Sequence, residues 1–589
     1  MESGWQLDLV GNSGLNLKRK RSVVLSFAIL SLEILLVLSC ASLSCHAQAS
    51  PQEADLAKIK EFYTEQRWQE IVSQVAQTSA PGAELEYYDG IALGQLGRLG
   101  EARKALLAGH RLLPADKRFP IELAGVAFKQ KRYPAAAAWL RRGLRVDPSD
   151  SYANDFLGTV YFLEGNLEAA LKYWNRVAKP ELENVQPDPD LRIKPALLDR
   201  AFTFSPGGEL QLSDLSTSEA RLQGLEVFSS HKFELSARED GKFDLTFNAQ
   251  EKNGWGENKW QALLSTFRGV FYQTAYPEYF NSNGSAINIT SLVRWDAQKR
   301  RFLAAVSGPL HQNPKWRYRL TLDLRSENWA VRNSFEGPAP LLGALRLRRE
   351  SVSAEVASFN SGRWGWSTGF ELSDRGYDNV FSGSVLTPGL LLEGLQLKAL
   401  GQVHRELWSV PERRFTTSAE VSSQVGRIWS TLGEVFGKTR GSFDAHWLPQ
   451  SHGDDFETRE SISAGEIYGC ASFDELFMLG MERDNDLWLR AHIGTRDGRK
   501  GSAPLGTRYF LSNTEVDKNL YGNGLFSVKL GPFLDNGKIT DPSPGLGSRK
   551  WLWDTGAQAK LRILGVGVTV IYGKDLRSGN NAFYVTARR

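Results

Sequence analysis

Several stretches of this 589-residue chain set reactive residue types at spacings that chemistry uses. Gly365-Trp366-Ser367-Thr368-Gly369 has the Gly-x-Ser-x-Gly form of a nucleophile elbow, which needs a helix after the serine. Apolar and polar residues instead alternate unbroken through Leu372, so Ser367 is expected inside a strand. Gly433–Thr439, GEVFGKT, is one residue short of a phosphate-binding loop and also lies among strand patterns. The eight histidines show no His-Glu-x-x-His and no paired ligand spacing. Cys470 has no neighbouring thiol, and a lone cysteine of this kind reads as inert. Asp474, Glu475, Asp484 and Asp486 crowd one stretch and are expected to form a solvated acidic surface rather than a cation site. No active site emerges: the expectation is a non-enzyme with no catalytic residue, no cofactor and no metal.

One charged group resists that dismissal. Alternate residues of an extended chain share a face, so in FSVKLGPFLDNGK, 526–538, Phe526, Val528, Leu530 and Leu534 point one way. Ser527, Lys529, Gly531 and Asp535 point the other, with Phe533 and Gly537 beside them. A carboxylate facing a wet lumen, with the apolar side turned to lipid, is the expected setting.

The elements that must position such a group follow from period. LKRKR at 17–21, the apolar run 22–38 and Ala47-Gln48-Ala49 form a signal peptide, expected over 1–49. Over 51–182 small residues recur at an interval of 34: Gly90, Ala124 and Gly158, then Ala102, Ala136 and Ala170, with Pro114 and Pro148 in step. Small residues at such positions let two antiparallel helices cross closely. The pattern resembles the tetratricopeptide repeat, with three clear units and a degenerate fourth at 56–72. That resemblance implies a concave face that binds peptide or protein. ENVQPDPD, 183–190, reads as a proline-rich break. From about 255 to the end period 2 dominates with no helical run, as in WRYRLTLDL at 316–324, RWGWSTGFELS at 363–373 and GVTVIYG at 567–573. Thirteen of the seventeen tryptophans lie in this segment, as interfacial belts would require. A closed barrel satisfies every backbone group in lipid, and the length suits about sixteen membrane-spanning strands. A net charge of +4 is too weak to argue for nucleic acid as a partner.

Residues 191–253 resemble the second half of a polypeptide-transport-associated (POTRA) domain: a short helix, 218–225, closing on Arg221-Leu222, Leu225 and Val227-Phe228, then a hairpin turning at Glu239-Asp240-Gly241 and ending at Glu251. Phe533, Asp535 and Gly537 match the F-x-D-x-G strand motif of the BamA-like outer-membrane insertase and two-partner-secretion superfamily. DELFMLGMERDNDLWLRAH, 474–492, resembles that superfamily's glycine-bearing strand and inward-folded loop, with Arg490 at the position of the loop-tip arginine; AINITSLVRWDAQKRRFLAAVSGPL, 286–310, resembles its first barrel hairpins. The resemblance implies that Arg490 pairs with Asp535 inside the barrel. Ala491 and His492 stand where the family has glycine and an aromatic, which puts the seating of the tip in doubt.

The expected fold is therefore a mixed, multi-domain chain: an α-solenoid of tetratricopeptide repeats over 51–182, an α+β POTRA-like domain over 191–253, and an antiparallel transmembrane β-barrel over 255–589. The resemblance implies an outer-membrane protein for protein translocation or for insertion of other outer-membrane proteins, with its N-terminal domains in the periplasm. Its implied partners are the outer-membrane lipid bilayer and an unfolded client polypeptide or a periplasmic partner protein. A polysaccharide-export porin with a periplasmic repeat scaffold is the alternative.

Overall fold

The computed structural model describes residues 51–588 apart from 188–189, 257–258, 431–433, 451–454, 523–525, 541–544 and 564–565. The expected signal peptide, 1–49, lies outside the described residues. The chain forms two compact units that divide after Pro114.

The first unit holds the helices Pro51–Thr64, Trp68–Val75, Ala83–Gln95 and Leu99–Leu112. The stretch 56–72 thus falls in a helical hairpin, as its degenerate repeat suggests. Ala102 is fully buried, and a Cβ on Gly90 would lie 2.4 Å from Leu106, so the small residues sit where the two later helices touch.

The second unit opens with the helices Arg118–Lys129, Tyr133–Val146, Ser151–Leu163 and Leu167–Trp174. Asp150 caps the third, accepting from the Ala153 amide at 2.8 Å, and Asn166 caps the fourth. Ala124, Ala136 and Ala170 are fully buried, and a Cβ on Gly158 would meet the Trp174 ring at 2.4 Å.

A three-stranded sheet follows, built from β1 (Leu182–Pro187), β2 (Phe228–Ala237) and β3 (Phe243–Glu251) in the order β1-β3-β2. The helices Pro195–Ala201 and Leu212–Leu225 lie between β1 and β2 in sequence. Two expectations need correction here. The supposed break at 183–190 contains β1, which pairs in parallel with β3 and anchors itself through fully buried Leu182. Pro187 falls at the strand's end, where no ladder donor is needed. The second helix starts at Leu212 rather than Ser218, because its polar first turns carry little apolar signal.

The rest is a closed barrel. Two short strands, β4 (Thr274–Ala275) and β5 (Glu278–Ser282), precede β6 (Ile287–Trp295), β7 (Lys299–Leu310), β8 (Asn313–Val331), β9 (Gly343–Ser358), β10 (Trp364–Phe381), β11 (Gly394–Val410), β12 (Phe415–Trp429), β13 (Val435–Trp447) and β14 (Phe456–Gly469). Within the next connection lie the two-residue strands β15 (Phe477–Met478), β16 (Thr495–Arg496), β17 (Arg499–Lys500) and β18 (Leu505–Gly506). The wall resumes with β19 (Arg508–Gly522), β20 (Phe526–Thr540), β21 (Leu552–Ile563), β22 (Val566–Asp575) and β23 (Asn581–Arg588). Among the described residues the wall holds fourteen long strands, each antiparallel to its neighbour in sequence. In the ring order β23 is followed by β4 and β5. The expectation of no helical run fails at one place, the nine-residue helix Lys259–Phe267 ahead of β4.

Register decides the two faces. Leu320 and Leu322 lie open on the outside of β8, while Arg317 and Asp323 are buried inside. Phe370 and Leu372 face out on β10, and Leu530 and Leu534 on β20. Ser367 lies within the unbroken β10, as its alternation demands, and no elbow forms. An apolar exterior on a closed ring is the arrangement that lipid requires. Among the described residues no helix is long and apolar enough to cross a membrane.

The sheet domain sits at one end of this barrel. The Arg317 guanidinium donates to Glu226 at 2.8 Å, and Arg319 reaches the same carboxylate at 2.6 Å. Glu251 is buried, accepting from the Arg192 amide at 2.6 Å and from Asn281 of β5 at 2.8 Å. The helix Leu167–Trp174 meets the turn between β11 and β12, where Tyr173 donates to Glu412 at 2.7 Å and Asn166 to the Pro411 carbonyl at 2.8 Å.

Candidate functional site

The lumen is occupied by chain. Residues 470–507, between β14 and β19, fold back inside the barrel, where β15 pairs with β18 and Lys500 of β17 bridges to Trp329 of β8. Only Phe477–Met478 of the expected glycine-bearing strand is extended; Gly480 packs within loop, 2.4 Å at its would-be Cβ from Ala503.

Arg490, Phe533, Asp535 and Gly537 come together at the loop tip. The Arg490 guanidinium donates to Asp535 from Nη2 at 2.6 Å and from Nε at 2.9 Å, and the Arg490 amide adds a bond of 3.0 Å. Its Nη1 reaches Glu515 and Gln558, each at 2.9 Å. Phe533 lies under the guanidinium, 4.0 Å from ring centre to carbon, a cation–π contact. Gly537 leaves room for the loop: a Cβ there would lie 3.2 Å from Leu479 and 3.3 Å from Leu489. Asp535 is fully buried. The wet lumen expected around it is absent at this level, because loop residues have replaced the water.

Asp535 stands in a row. Register sets it opposite Asn513 on β19 and opposite Asp554 on β21, which is itself opposite Asp575 on β22. Three carboxylates side by side on neighbouring strands repel unless cations meet them. The loop tip supplies these partners in sequence. Arg490 takes Asp535, the Ala491 amide donates to Asp554 at 2.7 Å, and His492 lies 3.0 Å from Asp554 through Nδ1 and 3.7 Å from Asp575 through Nε2. The altered tip is therefore seated, with the His492 ring between the Asp554 and Asp575 carboxylates.

Two further clamps hold the loop. Asp484 accepts from Arg294 and Arg301, each at 2.7 Å, and from Lys500 at 3.0 Å; Lys500 also binds Glu327 at 2.7 Å. On the opposite side of the loop Asp474 takes Arg375 at 2.5 Å, while Glu475 takes Lys398 at 3.1 Å. Asp474, Glu475 and Asp484 are thus buried ion-pair partners rather than a solvated surface; Asp486 alone is open, paired with Arg440. The available signal was the run of inward-parity cations on successive strands, Arg349, Arg375 and Lys398, which need anions once the sheet closes.

Below the tip lies a charged cavity of about 550 Å³, lined by Glu457, Lys529, Lys560, Arg459, Trp488 and Arg562 among others. It opens toward the sheet domain, for Arg562 also donates to the Ser229 carbonyl of β2 at 3.0 Å. The repeat residues Gly90, Ala102, Ala124, Ala136, Gly158 and Ala170 belong to helix contacts and take no part in this site.

No family model matches the chain, and no curated protein matches it. Among solved structures it is similar to CdiB from Escherichia coli, at 14% identity over 70% of this chain and 75% of that one, with a TM-score of 0.45. It is also similar to BamA from Haemophilus ducreyi lacking POTRA domains 1–3, at 10% identity over 69% and 84%, TM-score 0.39. A third, MamA, is 18% identical over 22% of this chain and 78% of its own, TM-score 0.21.

Proposed function

We propose that this chain is an outer-membrane barrel that translocates or inserts polypeptides, with its repeats and sheet domain in the periplasm. The observation that carries this reading is the placement of β2. In the order β1-β3-β2 it is an edge strand, and Arg562 ties it to the mouth of the charged cavity under the loop tip. An extended client adding to such an edge is bound through its main chain, with little demand on sequence. It would arrive at a polar vestibule closed above by a loop that ion pairs, rather than covalent bonds, keep in place. The repeats would recruit the client or a partner protein. A polysaccharide porin is supported less well, since it needs a lumen open to its product and residues 470–507 fill this one.

Depletion followed by proteomics of the outer membrane and the medium tests the reading. The expected result is loss of a defined set of proteins from one of the two. An unchanged protein complement with loss of surface polysaccharide would transfer the assignment to the porin.

A further inference from the structure

The short helix ahead of the barrel wall is built inside out for water. Trp260, Leu263, Leu264 and Phe267 recur at the i, i+3, i+4, i+7 spacing of one helical stripe, and Phe271 follows in the short 3-10 turn Val270–Tyr272. All five are exposed, Trp260 at 76% and Phe271 at 97%, whereas Ser265 on the other side is buried. A soluble helix turns its apolar stripe to a core; this one leaves much of it uncovered.

Its place in the wall says what lies on that side. The segment leaves the sheet domain at Gly254, which exchanges two 2.9 Å backbone bonds with Phe280 of β5. The Tyr276 amide then bonds the Thr266 carbonyl at 2.7 Å, Arg268 pairs with Glu278 at 2.7 Å, and the chain enters β4 at Thr274. The helix therefore runs beside β4 and β5, whose few residues leave the ring thin between β23 and β6. Tyr272 marks the inward direction: Arg483 of the lumen loop lies 3.6 Å over its ring. Phe271, the preceding residue, stands open on the other side. The nearest outward residues of the wall are apolar as well, Ile289, Val293 and Trp295 on β6 and Phe583 and Val585 on β23. A helix satisfies its own backbone hydrogen bonds, so it suits a position in lipid where an unpaired strand edge would not.

We propose that the helix Lys259–Phe267 is embedded in the bilayer beside β4 and β5, its stripe from Trp260 to Phe267 and the following Phe271 in contact with acyl chains. The proposal rests on the membrane-barrel reading above, and the stripe continues the barrel's own lipid-facing surface. It requires full-length protein without its three cysteines, reconstituted in phosphatidylcholine vesicles and spin-labelled singly at Leu264→Cys, Phe271→Cys or Leu372→Cys. Leu372 lies on the outer face of β10 and serves as the reference for lipid exposure. Expected is stronger relaxation by oxygen than by a water-soluble nickel chelate at positions 264 and 271, by a margin matching position 372. Dominant nickel relaxation at 264 and 271 would place the stripe in water, and protection from both reagents would place it under protein; with 372 behaving as lipid-exposed, either result overturns the proposal alone. Nickel relaxation at 372 would remove the barrel reading and the proposal together.

Discussion

Arg490 and Asp535 are buried together, and each has lost its water to the other. Removing one partner of such a pair leaves a charge uncompensated and costs about 3–5 kcal/mol, whereas removing both costs little more. Chemical unfolding in detergent should show Arg490→Ala and Asp535→Ala each strongly destabilising and the double variant close to either single one. Additive effects would mean that Glu515 and Gln558 on Arg490, and Asn513 on Asp535, suffice to compensate each group alone. His492 allows a separate test in the same row. His492→Phe restores the aromatic of the resembled family but leaves Asp554 and Asp575 facing each other, so it should destabilise the loop; paired Asp554→Asn and Asp575→Asn changes should recover it. The Arg490–Asp535 pair was legible in sequence through its motif. The aspartate row was not, because Asp554 and Asp575 become neighbours of Asp535 only through the register of three strands.

At the scale of elements, the repeats set two glycines in equivalent places. Alanine gains about 1 kcal/mol of helix propensity over glycine in a helix interior. At Gly90 the new methyl would lie 2.4 Å from Cγ of the fully buried Leu106, and at Gly158 2.4 Å from the packed ring of Trp174. Gly90→Ala and Gly158→Ala should therefore each destabilise by about 1–3 kcal/mol as overpacking does, as read by thermal unfolding. Period alone located these helices, because 34-residue spacing and small crossing residues are local facts. The helix Lys259–Phe267 escaped the same reading because its stripe, with tryptophan and phenylalanine at both ends, also suits a lipid-facing strand. The strand β1 escaped because Pro187 and Pro189 dominate a short polar stretch of the sequence. The acidic loop differs from its expectation for another reason: a carboxylate's burial depends on cations brought in from strands 77 to 190 residues away.

At the scale of the molecule, strand closure should make the protein migrate differently on a denaturing gel before and after boiling; equal mobility would argue against a closed ring. The junction between the domains should also respond to acid. Burial, aided by neighbouring Glu168, pushes the Glu219 carboxyl up to about 7 from the ordinary value of 4.5. Burial raises Glu168 as well, with Glu406 adding to it. The same small cavity of about 260 Å³ is lined by Lys172 and Arg363. A carboxyl whose folded value is raised binds more protons folded than unfolded, so its penalty is absent below about 4.5 and complete above about 7. Scanning calorimetry should show stability falling as pH rises through that window, and Glu219→Gln should flatten the fall.

The clamped loop also has an electrical consequence. A barrel of this girth without its filling would carry a large ionic current, yet here residues 470–507 stand across the lumen with their charges paired to the wall. In a planar bilayer the protein should be nearly silent, and Asp484→Ala with Glu475→Ala should convert it to a noisy conductor by freeing both sides of the loop. The ion pairs would then act as an insulator, keeping a wide pore closed to ions by electrostatics alone.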